Sequence, residues 1–254
     1  MNVMLLAAGL AAAAAAASAA GFLLVSRFVP ERWLVADADA ASALYATIGM
    51  VYAILIAIAA IAVWEPRAAA GQYTDVEAGS LIEVHWAANG LAETDRAELQ
   101  TRLRAYLEEA AGPEWRGLHD RREPSGRATD LFTDLRLRAD AVRPATPREE
   151  AALAQVTAGL STAAEARRTR MLAAGEGMPG LLWPVLLGGG LMSVAFLYLF
   201  GLDRTFPNGL MMAAVGGMIA LLLFVIYQVE YPFSRAFAIE PDSLLDALTR
   251  VGAH

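Results

Sequence analysis

The sequence predicts an all-α integral membrane protein with four transmembrane helices and a helical cytoplasmic domain inserted between spans two and three. The 254 residues are 57% hydrophobic with a mean hydropathy of +0.42, which is high for a soluble chain of this length. The apolar residues are also segregated, because four stretches contain no Asp, Glu or Arg: 1–26, 40–64, 177–202 and 205–229. A charge at the centre of an inserted helix costs about 2.5 to 3.5 kcal/mol, so these gaps indicate membrane spans.

The same stretches divide the chain into four parts. Residues 1–64 are the first transmembrane pair, with spans at about 3–26 and 42–64; 65–176 are the cytoplasmic helical domain; 177–229 are the second pair, with spans at about 179–202 and 206–229; and 230–254 are a cytoplasmic tail. The inserted block holds 19 acidic residues and 15 arginines, as a helical domain in water would. The stretch at 40–64 would be about 37 Å long as a helix, enough for a bilayer core of about 30 Å.

The first span is rich in alanine, which fills positions 11–17. Alanine is close to neutral for insertion, so the leucines and Phe22 must drive it. A signal peptide is the alternative, because Ala17-Ser18-Ala19 resembles a cleavage site. A retained span is favoured, since no basic side chain precedes the apolar run and apolar residues resume after the candidate site.

The second span has two faces. Residues of the first face recur at spacings of four and three, which places them together on a helix: Tyr45, Gly49, Tyr52, Ile56, Ala59 and Val63. Small residues and tyrosines suit either a packing seam against other helices or the lining of a pore or cavity, and both remain open. The second face is aliphatic and suited to lipid: Val51, Ile54, Ile58 and Ile61.

Turn-forming residues divide the inserted block into separate helices. The second helix continues past the membrane as a stalk until Asn89-Gly90, and Gly112-Pro113 is predicted to end the next helix. Thr146-Pro147-Arg148-Glu149 is a strong helix start, with a Thr cap, Pro at the first position and Glu at the third. The short link Asp203-Arg204 predicts a tight hairpin of spans three and four.

Charge and composition narrow the function. The chain has a net charge of −7 with no basic stripe, which argues against a nucleic-acid partner. It has no cysteine, which excludes disulfides and thiolate metal sites. The three histidines form no metal or nucleophile motif, and Glu77 and His85 lie about 12 Å apart on one helix face, too far to share an ion. We therefore expect no enzyme activity, cofactor or metal.

A series of short elements carries a family resemblance. They are Trp64, Val76-Glu77-Ala78, Trp86, Tyr106, Glu114-Trp115, Arg167 to Arg170, Pro179 with Trp183, and Tyr231-Pro232-Phe233-Ser234. In this order they resemble the bacterial bestrophin-like family of four-span membrane proteins. The signature residues are Glu77, Trp86, Glu114, Trp115, Pro232 and Phe233. The chain departs from the usual Asp-Arg-Pro-Phe-Ser-Gly in having Glu230, Tyr231 and Arg235.

The resemblance implies an oligomeric anion channel with cytoplasmic termini and a pore lined by the second span. The Tyr45–Val63 face is then the pore-lining candidate, with an apolar constriction at Tyr52 and Ile56, and Glu65 and Arg67 are the pore-mouth candidates. The second span lacks the Phe and Pro of the bestrophin neck. The alternative is a non-conducting membrane scaffold or regulator whose cytoplasmic domain binds a protein partner. In both cases we expect contact with the lipid bilayer and a homo-oligomer.

Arginines near the span ends predict the orientation in a bacterial inner membrane. Six lie on one side and three on the other: Arg67, Arg167, Arg168, Arg170, Arg235 and Arg250 against Arg27, Arg32 and Arg204. Because positive charge is retained in the cytoplasm, the inserted block and both termini should be cytoplasmic. Reporter fusions at position 120 and at the C-terminus should both give a cytoplasmic signal. A periplasmic signal from either fusion would contradict this topology.

Overall fold

The computed structural model describes residues 3–30, 38–121, 124–175, 177–199 and 205–252, and these are mostly helical with no strand among them. The helices are α1 (Val3–Phe28), α2 (Ala38–Ala88), α3 (Glu93–Glu109), α4 (Trp115–Arg121), α5 (Gly126–Ala141), α6 (Pro147–Gly175), α7 (Leu182–Tyr198), α8 (Phe206–Val229) and α9 (Asp242–Gly252). A π-helical turn, Ala110–Glu114, joins α3 to α4. The predicted all-α class is confirmed.

The chain divides into two compact units. One, here called the apolar unit, is Met1–Trp64 with Gly177–Glu230; the other, the polar unit, is Glu65–Glu176 with Tyr231–His254. Helix α2 contributes residues to both.

Three described helices are long and apolar enough to cross a membrane. They are Val3–Phe28, Ser42–Ala88 and Phe206–Val229. The predicted third span, at 179–202, corresponds to α7, which is apolar but only 17 residues long. As a helix it measures about 25 Å, which is less than a typical bilayer core of about 30 Å. The link Asp203-Arg204 lies outside the described residues.

Close contact between α1 and α8 organises the apolar unit. A Cβ at Gly216 would lie 2.5 Å from the Cβ of Ser18, so only glycine fits there. Ser18 donates its hydroxyl hydrogen to the carbonyl of Met212 on α8 at 2.7 Å. Beside it, Gly217 faces the carbonyl of Ala11. The alanines and serine of α1 therefore admit a neighbouring helix, as small residues do in membranes.

A single apolar core fills the polar unit. Helices α3, α5, α6 and α9, the second part of α2 and the segment before α9 contribute buried side chains to it: Leu81, Leu99, Leu103, Leu107, Leu135, Val156, Leu160, Phe233 and Leu244. The start of α6 is capped as predicted, because the hydroxyl of Thr146 accepts a hydrogen bond from the Glu149 amide at 3.2 Å. The Glu149 carboxylate in turn accepts one from the Ala145 amide at 2.8 Å.

The prediction that Gly112-Pro113 ends a helix is wrong. The chain continues from α3 through the π-turn into α4, with both residues inside the turn. Proline has no amide hydrogen and clashes with the carbonyl of an α-helix four residues earlier. A π-turn is wider than a turn of α-helix, which relieves the clash with that carbonyl. The helix therefore widens here instead of ending.

Replacing Gly216 with alanine tests the α1–α8 contact. The new methyl group would overlap Ser18 and should lower the free energy of unfolding by about 1 to 3 kcal/mol, the usual cost of overpacking. Gly209→Ala is the control, because it makes the same change on α8 where nothing lies within 4 Å. Thermal unfolding in detergent would measure both, and equal melting temperatures would contradict this packing.

Candidate functional site

The predicted pore-lining face of α2 is largely packed within a single chain. Tyr52 is buried and donates its hydroxyl hydrogen to the carbonyl of Leu186 on α7 at 3.1 Å. Its ring covers Gly189, where a Cβ would lie 2.7 Å away, and Gly190, where one would lie 2.7 Å from the hydroxyl. Two consecutive glycines thus make the space for this tyrosine.

Further along the same face, Ala59 and Val63 are buried and Ile56 is partly buried. They pack against residues of α7, α8 and the segment before α7: Met178, Leu186, Ile226 and Val229. Tyr45 and Gly49 are half-buried. The structure therefore brings Tyr52, Ile56, Ala59 and Val63 together as a packing seam within one chain, here called the Tyr52 seam. That this face lines a pore in an assembly stays a prediction.

A different face of α2 is open in the single chain. Ile54, Ile58 and Ile61 are 54%, 54% and 62% exposed and follow one another at spacings of four and three. We call them the isoleucine stripe. Because the Tyr52 seam holds the opposite side of α2, the stripe points away from α7 and α8.

The two pore-mouth candidates do not form a pair. Glu65 is exposed, whereas Arg67 is half-buried, and its Nη1 has no hydrogen-bond partner among the described atoms. Residues two apart lie on different sides of a helix. Glu65 follows Ile61 by four residues and so shares its side of α2, while Arg67 does not.

The polar unit contains a group of charged side chains in its interior. The guanidinium of Arg170 on α6 is fully buried and binds both carboxylate oxygens of Glu77 on α2, with Nε–Oε2 and Nη2–Oε1 distances of 2.8 and 3.1 Å. Arg167, one turn earlier, binds both oxygens of Glu114 at 2.7 and 2.6 Å. Tyr106 of α3 joins the pairs, because its hydroxyl donates to Glu77 and accepts from Arg167. We call these five residues the buried ionic cluster.

Charge balance explains why these groups tolerate burial. Two carboxylates face two guanidinium groups, and Arg170 Nη2 also lies 3.5 Å from Glu114. Burial by itself lowers the pKa of both arginines, but contacts with the glutamates and Tyr106 raise it above the ordinary value. Burial, and then the Glu77 carboxylate, raises the pKa of the Tyr106 hydroxyl well above its ordinary range. The arginines stay charged and the tyrosine stays protonated at physiological pH.

An outer layer connects the cluster to the start of α5. The amide of Ser125 donates to Glu114 at 3.2 Å, and its hydroxyl donates to Glu109 at 3.0 Å. The same hydroxyl accepts from the amide of Ala128 and so caps α5. Trp115 lies with its ring centre 5.4 Å from the guanidinium carbon of Arg170. The π-turn matters here because it ends at Glu114 and turns that carboxylate inward.

Trp115 and Phe233 hold the C-terminal segment. Their rings meet edge to face with centres 5.0 Å apart. The indole nitrogen of Trp115 donates to the carbonyl of Ile239 at 3.1 Å, and His119 Nδ1 lies 3.1 Å from the carbonyl of Phe233. Pro232 is buried in the same segment, and its carbonyl accepts from the Ile239 amide at 2.8 Å.

The remaining signature residue lies elsewhere. Trp86 is 48% exposed on α2 and contacts the ring of His85, away from the cluster. Glu77, Glu114 and Trp115 are thus brought together, Pro232 and Phe233 adjoin Trp115, and Trp86 stands apart. Within the described parts of the chain, no three His, Asp or Glu side chains come together as metal ligands would.

A comparison with known families decides the relationship. The family described as Bestrophin-like domain matches residues 12–244 of the chain. The chain belongs to the bestrophin-like family. The resemblance seen in the signature residues is thereby confirmed. No curated protein and no solved structure matches the chain.

The bestrophin-like motif near the C-terminus is altered here, with visible consequences. Arg235 stands where the family pattern has glycine, and it adopts a φ of 70°, a conformation that costs a side chain about 1 kcal/mol or more. Its guanidinium carbon lies 4.8 Å from the ring centre of Tyr231, another departing residue, so a cation–π contact accompanies the strained backbone. Glu230, the third departure, accepts a hydrogen bond from the indole of Trp183 at 3.1 Å.

Neutralising Arg170 tests the energetic role of the buried ionic cluster. Arg170→Gln leaves Glu77 buried without its bidentate partner, and this should cost about 3 to 5 kcal/mol of unfolding free energy. Arg168→Gln removes an exposed arginine from the same helix and should cost less than about 0.5 kcal/mol. Denaturant unfolding of the full chain measures both. In a double-mutant cycle, Glu77→Gln should recover part of the loss, and strict additivity would contradict the pairing.

Proposed function

We propose that the protein forms an oligomeric, ion-conducting pore in the bacterial cytoplasmic membrane, with four spans per chain and α2 lining the pore. Membership of the bestrophin-like family supports the class of function. The observation that carries the proposal is the isoleucine stripe, an uncharged aliphatic face left open along a membrane-length helix. Few residues of its apolar stretch are buried in the single chain, so much of this helix is free for assembly.

The stripe is a better lining than the Tyr52 seam. Side chains of the seam already contact α7 and α8, and exposing them would break the Tyr52 hydrogen bond and leave Gly189 and Gly190 without the ring that covers them. Turning the stripe toward a symmetry axis breaks no contact in the chain. Rings of Ile54, Ile58 and Ile61 would form an apolar constriction that gates by losing its water.

Glu65 supplies the charge at one mouth. It continues the stripe at the spacing of four that separates Ile54 from Ile58, whereas Arg67 lies on another side of the helix. A ring of carboxylates attracts cations and repels anions. We therefore expect Glu65 to lower the permeability of anions relative to cations.

The proposed topology counts α7 as the third span. At about 25 Å it is shorter than the bilayer core, and a short span is accommodated by local thinning of the bilayer at modest cost. Trp183 in its first turn is an aromatic residue of the kind that anchors helices at the membrane interface. The polar unit and both termini would then lie in the cytoplasm.

A non-conducting membrane protein is the second candidate. It is favoured by the sealing of the Tyr52 seam, which leaves no polar path along that face of α2. In this case the isoleucine stripe would face lipid or another copy without enclosing water. The polar unit would then carry the function by binding a protein partner.

Planar-bilayer recordings of the purified oligomer separate the two candidates. Ile58→Ala should widen the constriction and raise conductance or open probability several-fold, because water returns more readily to a wider pore. Ile56→Ala is the matched control, the same change two residues away but in the Tyr52 seam, and should lower stability with conductance unchanged. Glu65→Gln should raise the anion-to-cation permeability ratio.

Three results would count against parts of this proposal. An oligomer that stays silent across salts and voltages supports the non-conducting candidate. A larger conductance from Ile56→Ala with none from Ile58→Ala would return the lining to the Tyr52 seam. An unchanged permeability ratio in Glu65→Gln would remove Glu65 from the mouth.

A further inference from the structure

A groove of about 470 Å³ lies between α2 and α7 in the apolar unit. Its walls are almost wholly apolar, and include Ile48, Val51, Leu55, Val185, Gly188 and Met192. Three hydroxyl-bearing residues line it, but Thr47, Tyr52 and Ser193 donate their hydroxyl hydrogens to backbone carbonyls at 3.0, 3.1 and 2.8 Å. No hydroxyl hydrogen is left to donate to a polar ligand, so the α2–α7 groove suits an apolar occupant.

Gly188 keeps the groove open. Nothing lies within 4 Å of the position that its Cβ would occupy, whereas the next residue, Gly189, is covered by the ring of Tyr52. A side chain at 188 would therefore extend into the groove without disturbing the packing of α2 on α7.

On another side of α2, an exposed face could fill such a groove. Ala46, Met50, Ala53 and Ala57 follow at spacings of four, three and four, and all are exposed. Met50 projects from three alanines and is 66% exposed. At 100° per residue, Ile54 lies between Met50 and Val51 around the helix. The order around α2 is therefore Met50 face, isoleucine stripe, groove.

In an assembly in which the isoleucine stripe points to the symmetry axis, one flank of each α2 carries the groove and the other flank carries Met50. Rotation about an axis normal to the membrane keeps every residue at its own depth. Contact with Tyr52 places Gly189, and so Gly188, near the level of that tyrosine, and Met50 lies only about 3 Å from the same level.

We propose that the α2–α7 groove of each copy receives Met50 from the next copy. The proposal rests on the oligomeric pore and names the contact that closes it. Because the two surfaces differ, the interface is heterologous, and a heterologous interface that closes makes a ring. The flexible, unbranched methionine fills an irregular apolar groove well, and the alanines beside it let the helices approach closely.

Cysteine crosslinking tests the pairing directly, because the chain has no cysteine of its own. Chains with Met50→Cys and chains with Gly188→Cys are mixed, reconstituted and oxidised. A disulfide requires Cα atoms within about 7 Å, so a dimer should form in the mixture but from neither variant alone. A dimer from Met50→Cys alone would mean that α2 packs on a two-fold axis, and this would overturn the proposal.

Substitutions that fill the groove or remove the Met50 side chain test how strongly this contact stabilises the oligomer. Met50→Ala removes the side chain that enters the groove, and Gly188→Leu fills the space that receives it, so each should weaken association on the order of tenfold. Gly9→Leu is the matched control for the first, with nothing within 4 Å of its Cβ position on α1. Met211→Ala, an exposed methionine on α8, is the control for the second. Light scattering in detergent measures the oligomer.

The outcomes distinguish this contact from the pore itself. Crosslinked rings that do not conduct would refute the proposed function and keep the interface. Conducting oligomers without crosslinks, and with Gly188→Leu unaffected, would refute the interface and keep the pore.

Discussion

Neutralisation of buried charge governs the architecture of the polar unit. Glu77 and Glu114 face Arg170 and Arg167 in the interior, where an unpaired charge would cost several kcal/mol. The four partners come from three places in the sequence: Glu77 from α2, Glu114 from the π-turn and both arginines from α6. Tyr106 adds α3, and Ser125 adds the start of α5. No one of these elements can shift without leaving a carboxylate or guanidinium uncompensated, so the cluster fixes their mutual register more strictly than the leucine core around it could.

The apolar unit depends on the opposite condition, the near absence of charge. Among its described residues, small side chains set the contacts: Gly216 lies against Ser18, and Gly189 lies under the ring of Tyr52. The Tyr52 contact occupies one side of α2 and leaves two exposed sides with different chemistry. A helix with three distinct faces is suited to an assembly in which one face serves the chain, one the pore and one the neighbouring copy. The proposed function follows from this division of surfaces.

Sequence reasoning reached the helical class, the family and the start of α6, because each depends on local patterns. It missed the π-turn, because Gly112-Pro113 ordinarily ends a helix. Here the helix continues to Glu114, whose carboxylate is buried in the ionic cluster, and no local pattern indicates that contact. It also left Arg167 and Arg170 out of the candidate site. A signal was present, because an arginine within the apolar stripe of α6 requires a buried partner. Naming that partner requires knowing which helices are neighbours, and spacing within one helix does not contain this information.

The contacts of Trp115 with Phe233 and Ile239 mean that the polar unit is discontinuous in sequence. Its main part precedes α7 and α8, and its last helix, α9, follows them. A ribosome adds about 5 to 20 residues per second. Residues 65–176 are therefore complete several seconds before α9 is synthesised. During that interval the surface that receives Phe233 and Leu244 is uncovered while α7 and α8 are synthesised. The polar unit can therefore close only after α7 and α8 have been translated, which gives its folding a fixed order.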